Sequence, residues 1–532
     1  MKNLIYLSKE SKQSPNVIPH LIRYFNAIKL LRVWGHGERS RIIVRLADWP
    51  LTPLRLTGRQ PLSPNLMTLI RYLIPHSSPL KLKPFHYLLV FLLICMSTSC
   101  EKFLDIKPDK KLAVPSDKLS NLKLLLDDTF TMNQQYPSMG EVASDNVYIH
   151  DSMWESVYQA SATAGNSYLW NTDVFNDSES NDWSASYAAV FNANLALEGT
   201  AIIQKNAANE AEWNQVKGSA LFFRAYAFYA LLQEFAKPYQ AATAAQDPGI
   251  VLKLNTDINE RSRRASLEQC YDQLVRDLEQ AAALLPVNTA FKTEPSRPAA
   301  YAMLARTLLT MSEYSKALEY AEKSIQLYPT LMDFSTLDPS APYPVPMYNQ
   351  EVIFHATLMV DRAHVYPYGR IDGKLYDQYA DNDLRKTLFF EKHGPDDIAY
   401  RGSYDGSYSP FGGIASDEVY LIAAECYVRT GNKDKGLDML NTLLAKRWDN
   451  TFTPLSAGTD QQALEVVLTE RRKELLLRNL RWTDLNRLNF EPAFQKTIEK
   501  VSLGKTYLLT PQKRYVFFIP QLVIDASGMA QN

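Results

Sequence analysis

The sequence predicts a mostly α protein: a platform of tetratricopeptide-like helix pairs carrying long irregular loops and small β elements. Three observations predict it. Between Pro298 and Pro329, aromatic, apolar and small residues fall at Tyr301, Leu304, Ala305, Leu308, Ala317, Ser324 and Pro329, a spacing at which small side chains let two antiparallel helices approach closely. The same spacing recurs from Asp417, with Tyr420, Ala423, Ala424 and Tyr427 on one helix and Gly436, Leu440 and Leu443 on the next. In both copies the aromatic and the small residue of the second helix stand 16 apart, Tyr301 to Ala317 and Tyr420 to Gly436. Between the helix-like stretches lie long segments, Thr131 to Asp182, Gln240 to Arg264 and Thr330 to Tyr408. Loops of that length inside a compact domain are usually functional or form small subdomains.

Composition sets the outer bounds. The 532 residues are 46% hydrophobic, 11% aromatic and 22% charged, which excludes disordered and fibrous classes. The net charge of −1 averages two unlike parts: residues 1–99 hold 14 basic and 3 acidic side chains, whereas residues 100–532 hold 43 basic and 55 acidic. A body with that acidic excess repels phosphate backbones, so no nucleic-acid partner is expected. Cys95, Cys100, Cys270 and Cys426 form neither a CxxC metal pair nor a dense disulfide framework.

From the N-terminus, residues 1–79 are basic, proline-studded and weakly periodic, and are expected to be a gene-model extension or disordered, with translation starting near Leu80 or at Met67. Residues 80–99 form an export signal. Lys81 and Lys83 precede the apolar run Tyr87 to Met96, and small Ser97, Thr98 and Ser99 lead into Cys100. Ten apolar residues are too few to span a bilayer, which takes about 20. The stretch resembles the lipobox of bacterial lipoproteins, which implies that Cys100 is acylated and becomes the first mature residue. Several acyl chains, at about 0.8 kcal/mol per buried CH₂, hold a protein on a membrane surface without a spanning helix. Residues 100–117, charged and broken by Pro108 and Pro115, read as a tether. Residues 118–532 form the folded part, with helix pairs at about 183–235, 298–329, 417–447 and 461–488.

The order of blocks then matches a known family. After the lipobox come Asn181 to Leu197 (NDWSASYAAVFNANLAL), Gly218 to Tyr239 (GSALFFRAYAFYALLQEFAKPY), the helix pair after Arg297, and Asp381 to Phe390 (DNDLRKTLFF). Asp417 to Asn432 (DEVYLIAAECYVRTGN), Glu470 to Leu488 (ERRKELLLRNLRWTDLNRL) and Phe517 to Asn532 complete the series. Over Cys100 to Asn532 the chain resembles the SusD/RagB family of Bacteroidetes outer-membrane nutrient-binding lipoproteins. It departs from the family pattern at Arg478, Asn479, Ser527 and Gly528, all scaffold positions. The resemblance implies a cell-surface protein without enzymatic activity. It also implies a partner, a SusC-like TonB-dependent transporter that receives an oligosaccharide or, less often, a peptide.

The motifs agree with a binding role. No HExxH, GxSxG or phosphate-binding glycine loop is present, and His150, His355, His364 and His393 are scattered through loops. A two-carboxylate glycoside hydrolase remains the enzymatic alternative. The cluster Glu470, Arg471, Arg472, Glu474, Arg481, Trp482, Asp484 and Arg487 is expected to pair internally and lock the terminal helices. Trp183, Tyr187 and Asn194 share one helical face and are expected in the core. Asp173, Asp177, Glu179 and Asp182 crowd one loop, but an EF-hand count from Asp177 puts Asp182 where glycine belongs, so no metal and no cofactor is expected. Ligand binding therefore falls to loop aromatics, whose faces cover a pyranose while Asp, Asn and Arg fix its hydroxyls. The candidates are Tyr148 with Asp145 and Asn146, Trp154, Tyr158, Trp170, Tyr366, Tyr368, Arg370, Tyr404, Tyr408 and Phe411. Gly402 to Gly413, rich in glycine and aromatics, is expected to act as a mobile clamp.

Overall fold

The structure is a computed structural model that describes residues 116–171, 173–175, 181–513 and 515–532. The expected extension, signal peptide and nearly all of the tether, with Cys100, lie outside the described residues, as do Asp177 and Glu179. Short helices α1 (Leu119–Leu126), α2 (Thr129–Asn133) and α3 (Met139–Ala143) lead to strand β1 (Val147–Ile149) and to α4 (Asp151–Ala160) and α5 (Ala162–Tyr168). Asn181 and Ser184 form a capping box that opens α6 (Asp182–Ile202), which α7 (Glu210–Phe235) follows. Strands β2 (Pro248–Val251) and β3 (Arg264–Ser266) precede α8 (Leu267–Leu284). Ser296 caps α9 (Arg297–Thr310), with Pro298 in its first turn, and α10 (Tyr314–Leu327) returns antiparallel.

A segment of small elements follows: β4 (Val352–Phe354), β5 (Gly369–Ile371), α11 (Gly373–Tyr376), α12 (Arg385–Phe389), β6 (Phe390–Gly394), β7 (Asp397–Tyr400) and β8 (Ile414–Ala415). Helices α13 (Ser416–Arg429), α14 (Lys433–Leu444), α15 (Asp460–Glu474) and α16 (Leu480–Leu488) come next. Strands β9 (Ile498–Ser502) and β10 (Lys505–Leu509) and helix α17 (Gln521–Ser527) end the chain. The described strands form five two-stranded antiparallel pairs, β1–β5, β2–β3, β4–β8, β6–β7 and β9–β10.

The long helices pack in succession from α6 through α7, α8, α9 and α10 to α13, against which α14 and α15 both lie. The small residues of the repeat act as expected. Ser324 is buried and donates to the Pro298 carbonyl at 2.9 Å. At Gly436 an added Cβ would stand 2.7 Å from the Ala424 carbonyl oxygen, so only glycine permits that helix approach. Helix α8 is absent from the four expected pairs, yet it sits between α7 and α9. Its Ser266–Gln269 capping box is the signal that marks its start.

The core also holds charge. Arg447 and Arg385 are both fully buried. The Arg447 guanidinium meets Glu474 at 2.6 Å and Glu351 at 2.8 Å, and donates to the Met332 carbonyl at 2.8 Å. Arg385 meets Glu470 at 2.6 Å, Asp383 at 2.7 Å and Glu474 at 3.0 Å. Arg471 and Arg487 both pair with Asp484 as expected, but the rest of the cluster pairs outward: Glu470 and Glu474 with the two buried arginines, Arg472 and Arg481 with Asp145, and Arg487 also with Glu425, because these helices fasten distant segments as well as each other. Replacing one member of a buried pair leaves its partners desolvated and unneutralised, which costs about 3–5 kcal/mol. Arg447→Leu is therefore expected to lower the stability by about that amount in urea titration; a loss below about 1 kcal/mol would show that Glu351 and Glu474 do not depend on it.

Candidate functional site

The β1–β5 pair sets Tyr148 directly opposite Arg370. Tyr148 is half-buried and its hydroxyl donates to the Asp396 carbonyl at 3.1 Å. The Arg370 Nε donates to Asp397 Oδ1 at 2.7 Å, and its guanidinium lies 5.7 Å from the Tyr366 ring centroid. Tyr366 stacks on the exposed imidazole of His393, with centroids 4.6 Å apart and planes 22° apart. Residues 222 positions apart thus meet in one face of rings flanked by the Arg370 guanidinium and the Asp397 carboxylate. Beside it, Trp154 stacks with Tyr158 at 6.1 Å and tilts against Tyr168 at 6.0 Å, while the exposed Arg362 covers Tyr368 at 4.8 Å.

The remaining candidates are differently placed. Tyr404 is 0% exposed; its hydroxyl donates to Glu351 at 2.5 Å, and Arg478 covers its ring at 4.1 Å. It is not an exposed platform, and neither is the buried Phe411. The expected clamp from Gly402 to Gly413 is largely buried and packs on Phe389, Leu358 and Phe354, leaving Tyr408, 57% exposed, as its one open ring. Asp145 and Asn146 are structural. Burial opposes ionisation of Asp145, but Arg481 and Arg472 hold its carboxyl well below the usual range, with Arg481 Nε at 2.7 Å and Lys496 Nζ at 2.6 Å. Asn146 is buried and donates to Glu141 at 2.9 Å. Trp170 donates to the Ala143 carbonyl at 3.0 Å, and its face lies 5.0 Å from the buried Lys500 ammonium.

Two clefts lie on segments adjoining these residues in sequence. One, of about 460 Å³, is bounded by α5, Asp182 and Asp361; the other, of about 480 Å³, by Gln134, Tyr348, His355 and Asp405. Met359 and Val360 line both. Tyr348 and His355 were not among the expected binding residues. Their sequence signal is the turn Pro346-Met347-Tyr348-Asn349, closed by an amide of Asn349 donating to Pro346 at 3.3 Å. Asp182, the described end of the acidic loop, accepts from the Ser138 and Met139 amides at 2.7 and 2.9 Å. Burial raises the pKa of Asp182, and burial with the adjacent Asp182 charge raises that of Glu234 further.

Comparison with known proteins identifies the family and the fold. A family model described as "Starch-binding associating with outer membrane" matches residues 102–309, and the SusD family model matches residues 417–515. The chain belongs to the SusD/RagB family. It is 24% identical over 420 residues to SusD-like protein P2 of Formosa agariphila, covering 66% of this chain and 79% of that one. A SusD superfamily protein from Bacteroides thetaiotaomicron superposes with a TM-score of 0.63 at 20% identity, covering 78% of this chain and 99% of that chain. A SusD-like carbohydrate binding protein from Bacteroides vulgatus gives 0.55 at 18% identity, covering 74% and 89%. The fold of this SusD-family chain is therefore the helix-pair platform of its relatives.

Glu141, in α3, is fully buried and accepts from the Asn146 side chain and the Asn479 amide. Burial pushes its pKa up to about 7. The folded state then holds a proton that the unfolded chain has released, so this stabilisation is full below about pH 4.5 and is lost as pH rises through about 7. Glu141→Gln removes that dependence. Between pH 5 and 8 the wild type is expected to lose about 3 kcal/mol relative to the variant in urea titration, whatever constant offset the substitution adds; parallel curves would contradict it.

Proposed function

We propose that this chain is a cell-surface lipoprotein that binds oligosaccharide or polysaccharide and delivers it to a SusC-like TonB-dependent outer-membrane transporter. The single observation that carries this reading is the joint face of Tyr148, Tyr366 and His393 beside the Arg370–Asp397 pair. The two half-buried tyrosine rings, held by their hydroxyl hydrogen bonds to the Asp396 carbonyl and Asp397, offer flat apolar faces at little entropic cost, and the flanking Asp397 carboxylate and Arg370 guanidinium suit hydroxyls. Each stacked pyranose buries about 40–50 Å² of ring, worth about 1 kcal/mol, so two or three rings supply about 2–3 kcal/mol and hydrogen bonds to the hydroxyls must add the rest of the roughly 4 kcal/mol that a millimolar affinity takes. The family description and the carbohydrate-binding name of one structural relative support the same ligand class. The role is capture and transfer, without catalysis.

Titration calorimetry against neutral and acidic polysaccharide fragments and a tryptic casein digest tests the ligand class. Saturable binding of a glycan, weakened about fivefold by Tyr366→Ala, is expected. Binding of the digest alone would assign the chain to peptide capture, and product release from any glycan would make it a hydrolase.

Anchoring is a separate expectation. Radiolabelled palmitate should enter the wild type in cells and not Cys100→Ala, which should leave the envelope fraction; a Cys100→Ala protein that still sediments with envelopes would overturn the lipid anchor.

A further inference from the structure

The geometry points to a second subsite, in the cleft of Tyr348 and His355, that takes a neutral, hydroxyl-rich saccharide. It rests on the glycan-binding reading above and adds a place and a charge class to it. Tyr348 holds φ at +55°, in the left-handed region that a tyrosine adopts only when its surroundings impose it. The imposition is visible. Asn349 closes the turn onto Pro346, Glu351 three residues on is gripped by Arg447, and Gly406, at φ +65°, packs so that an added Cβ would stand 2.7 Å from the Met347 amide nitrogen. The result is a ring 48% exposed at the cleft mouth, edge-on to His355 at 4.7 Å. Met347 and Val360 are exposed beside it.

The polar groups set the ligand's charge. Among the described residues no lysine or arginine lines the cleft, and the one carboxylate among them, Asp405, stands 3.1 Å from His355 Nε2 and accepts from Ser407. A sulfate or uronate would find no cation there, whereas a neutral saccharide would meet the Gln134 and Gln135 carboxamides and the Ser409 hydroxyl. The backbone of the floor is already committed. Thr357 and Met359 amides donate to Asn133 and Tyr136, and the Leu358 amide donates to Pro410. These three amides are therefore not free for an extended peptide to pair with. The volume, about 480 Å³, falls within the range of small-ligand clefts.

Fluorine NMR of protein labelled with 3-fluorotyrosine tests the assignment, with the Tyr348 and Tyr366 signals identified by Tyr348→Phe and Tyr366→Phe. The probes are maltohexaose, cellohexaose, xylohexaose and mannohexaose, each to about 10 mM. At least one is expected to shift the Tyr348 signal saturably, with Tyr348→Ala weakening that sugar about fivefold in calorimetry while Tyr366→Ala leaves the Tyr348 response in place. A Tyr348 signal unmoved by all four overturns the subsite. If Tyr366 then still responds to a glycan, the reading of the β1–β5 face stands by itself; if neither responds to any glycan, both fall.

Discussion

A guanidinium that is taken out of water must be met by carboxylates, and the architecture of this protein follows from where those carboxylates come from. Arg447, at the end of the α14 region, and Arg385, in α12, are both fully buried. Desolvation pulls each toward losing its proton, and the surrounding carboxylates more than reverse it, leaving both pKa values raised. Glu474, in the last turn of α15, serves both arginines at once. Glu351 reaches in from the segment before β4, and Asp383 from the turn before α12. Irregular chain is thereby fastened to the helical platform by pairs that water cannot compete for.

Helix α13 applies the same rule three times. Buried on nearly every side, it carries Asp417 and Glu418 in its first turn and Glu425 two turns later. Arg478 takes Asp417 at 2.8 Å, Arg306 takes Glu418 at 2.6 Å, and Arg487 with Arg429 takes Glu425 at 2.5 and 2.7 Å. The guanidiniums arrive from α9, from the turn before α16, from α16 and from α13 itself, so the pairs fix how these elements meet α13. Such pairs contribute less to net stability than their geometry suggests, because desolvation offsets most of the attraction. Their effect lies in the penalty for any other arrangement, since a displaced element would strand a buried charge.

The helical half of this structure was legible because its determinants are local. Ala317, Ser324 and Gly436 fall at a fixed spacing that sterics alone explain. Trp183 and Asn194 lie in the core as their shared face implies. The site was legible only in part. Tyr148, Tyr366 and Arg370 were singled out as loop residues, but nothing near any of them announces that β1 pairs with β5. Tyr404 shows the converse: a glycine-rich loop with aromatics looks open in sequence, yet its hydroxyl is the partner that Glu351 needs, a demand set by Arg447. Exposure of a loop aromatic is decided by long-range partners, which leave no periodic trace.

The same network bears on how the two proposed binding surfaces, each of modest strength, would work together on one platform. Glu351 stands between Tyr348 and β4, and Tyr404 precedes Asp405, so the pairs that bury Arg447 also set the rim and floor of the 480 Å³ cleft. From that cleft the chain runs through Met359 and Val360, which line both cavities, to Arg362, Tyr366, Tyr368 and Arg370 on the ring face. A polymer seated at one place is presented to the other at high effective concentration, and the two contacts then multiply without either being strong. Weak individual contacts also release quickly, since differences in affinity among related sites lie mostly in the dissociation rate. The proposed role of capture and transfer calls for that combination: retention while a polymer spans both places, and easy stepwise loss once a partner draws one end away.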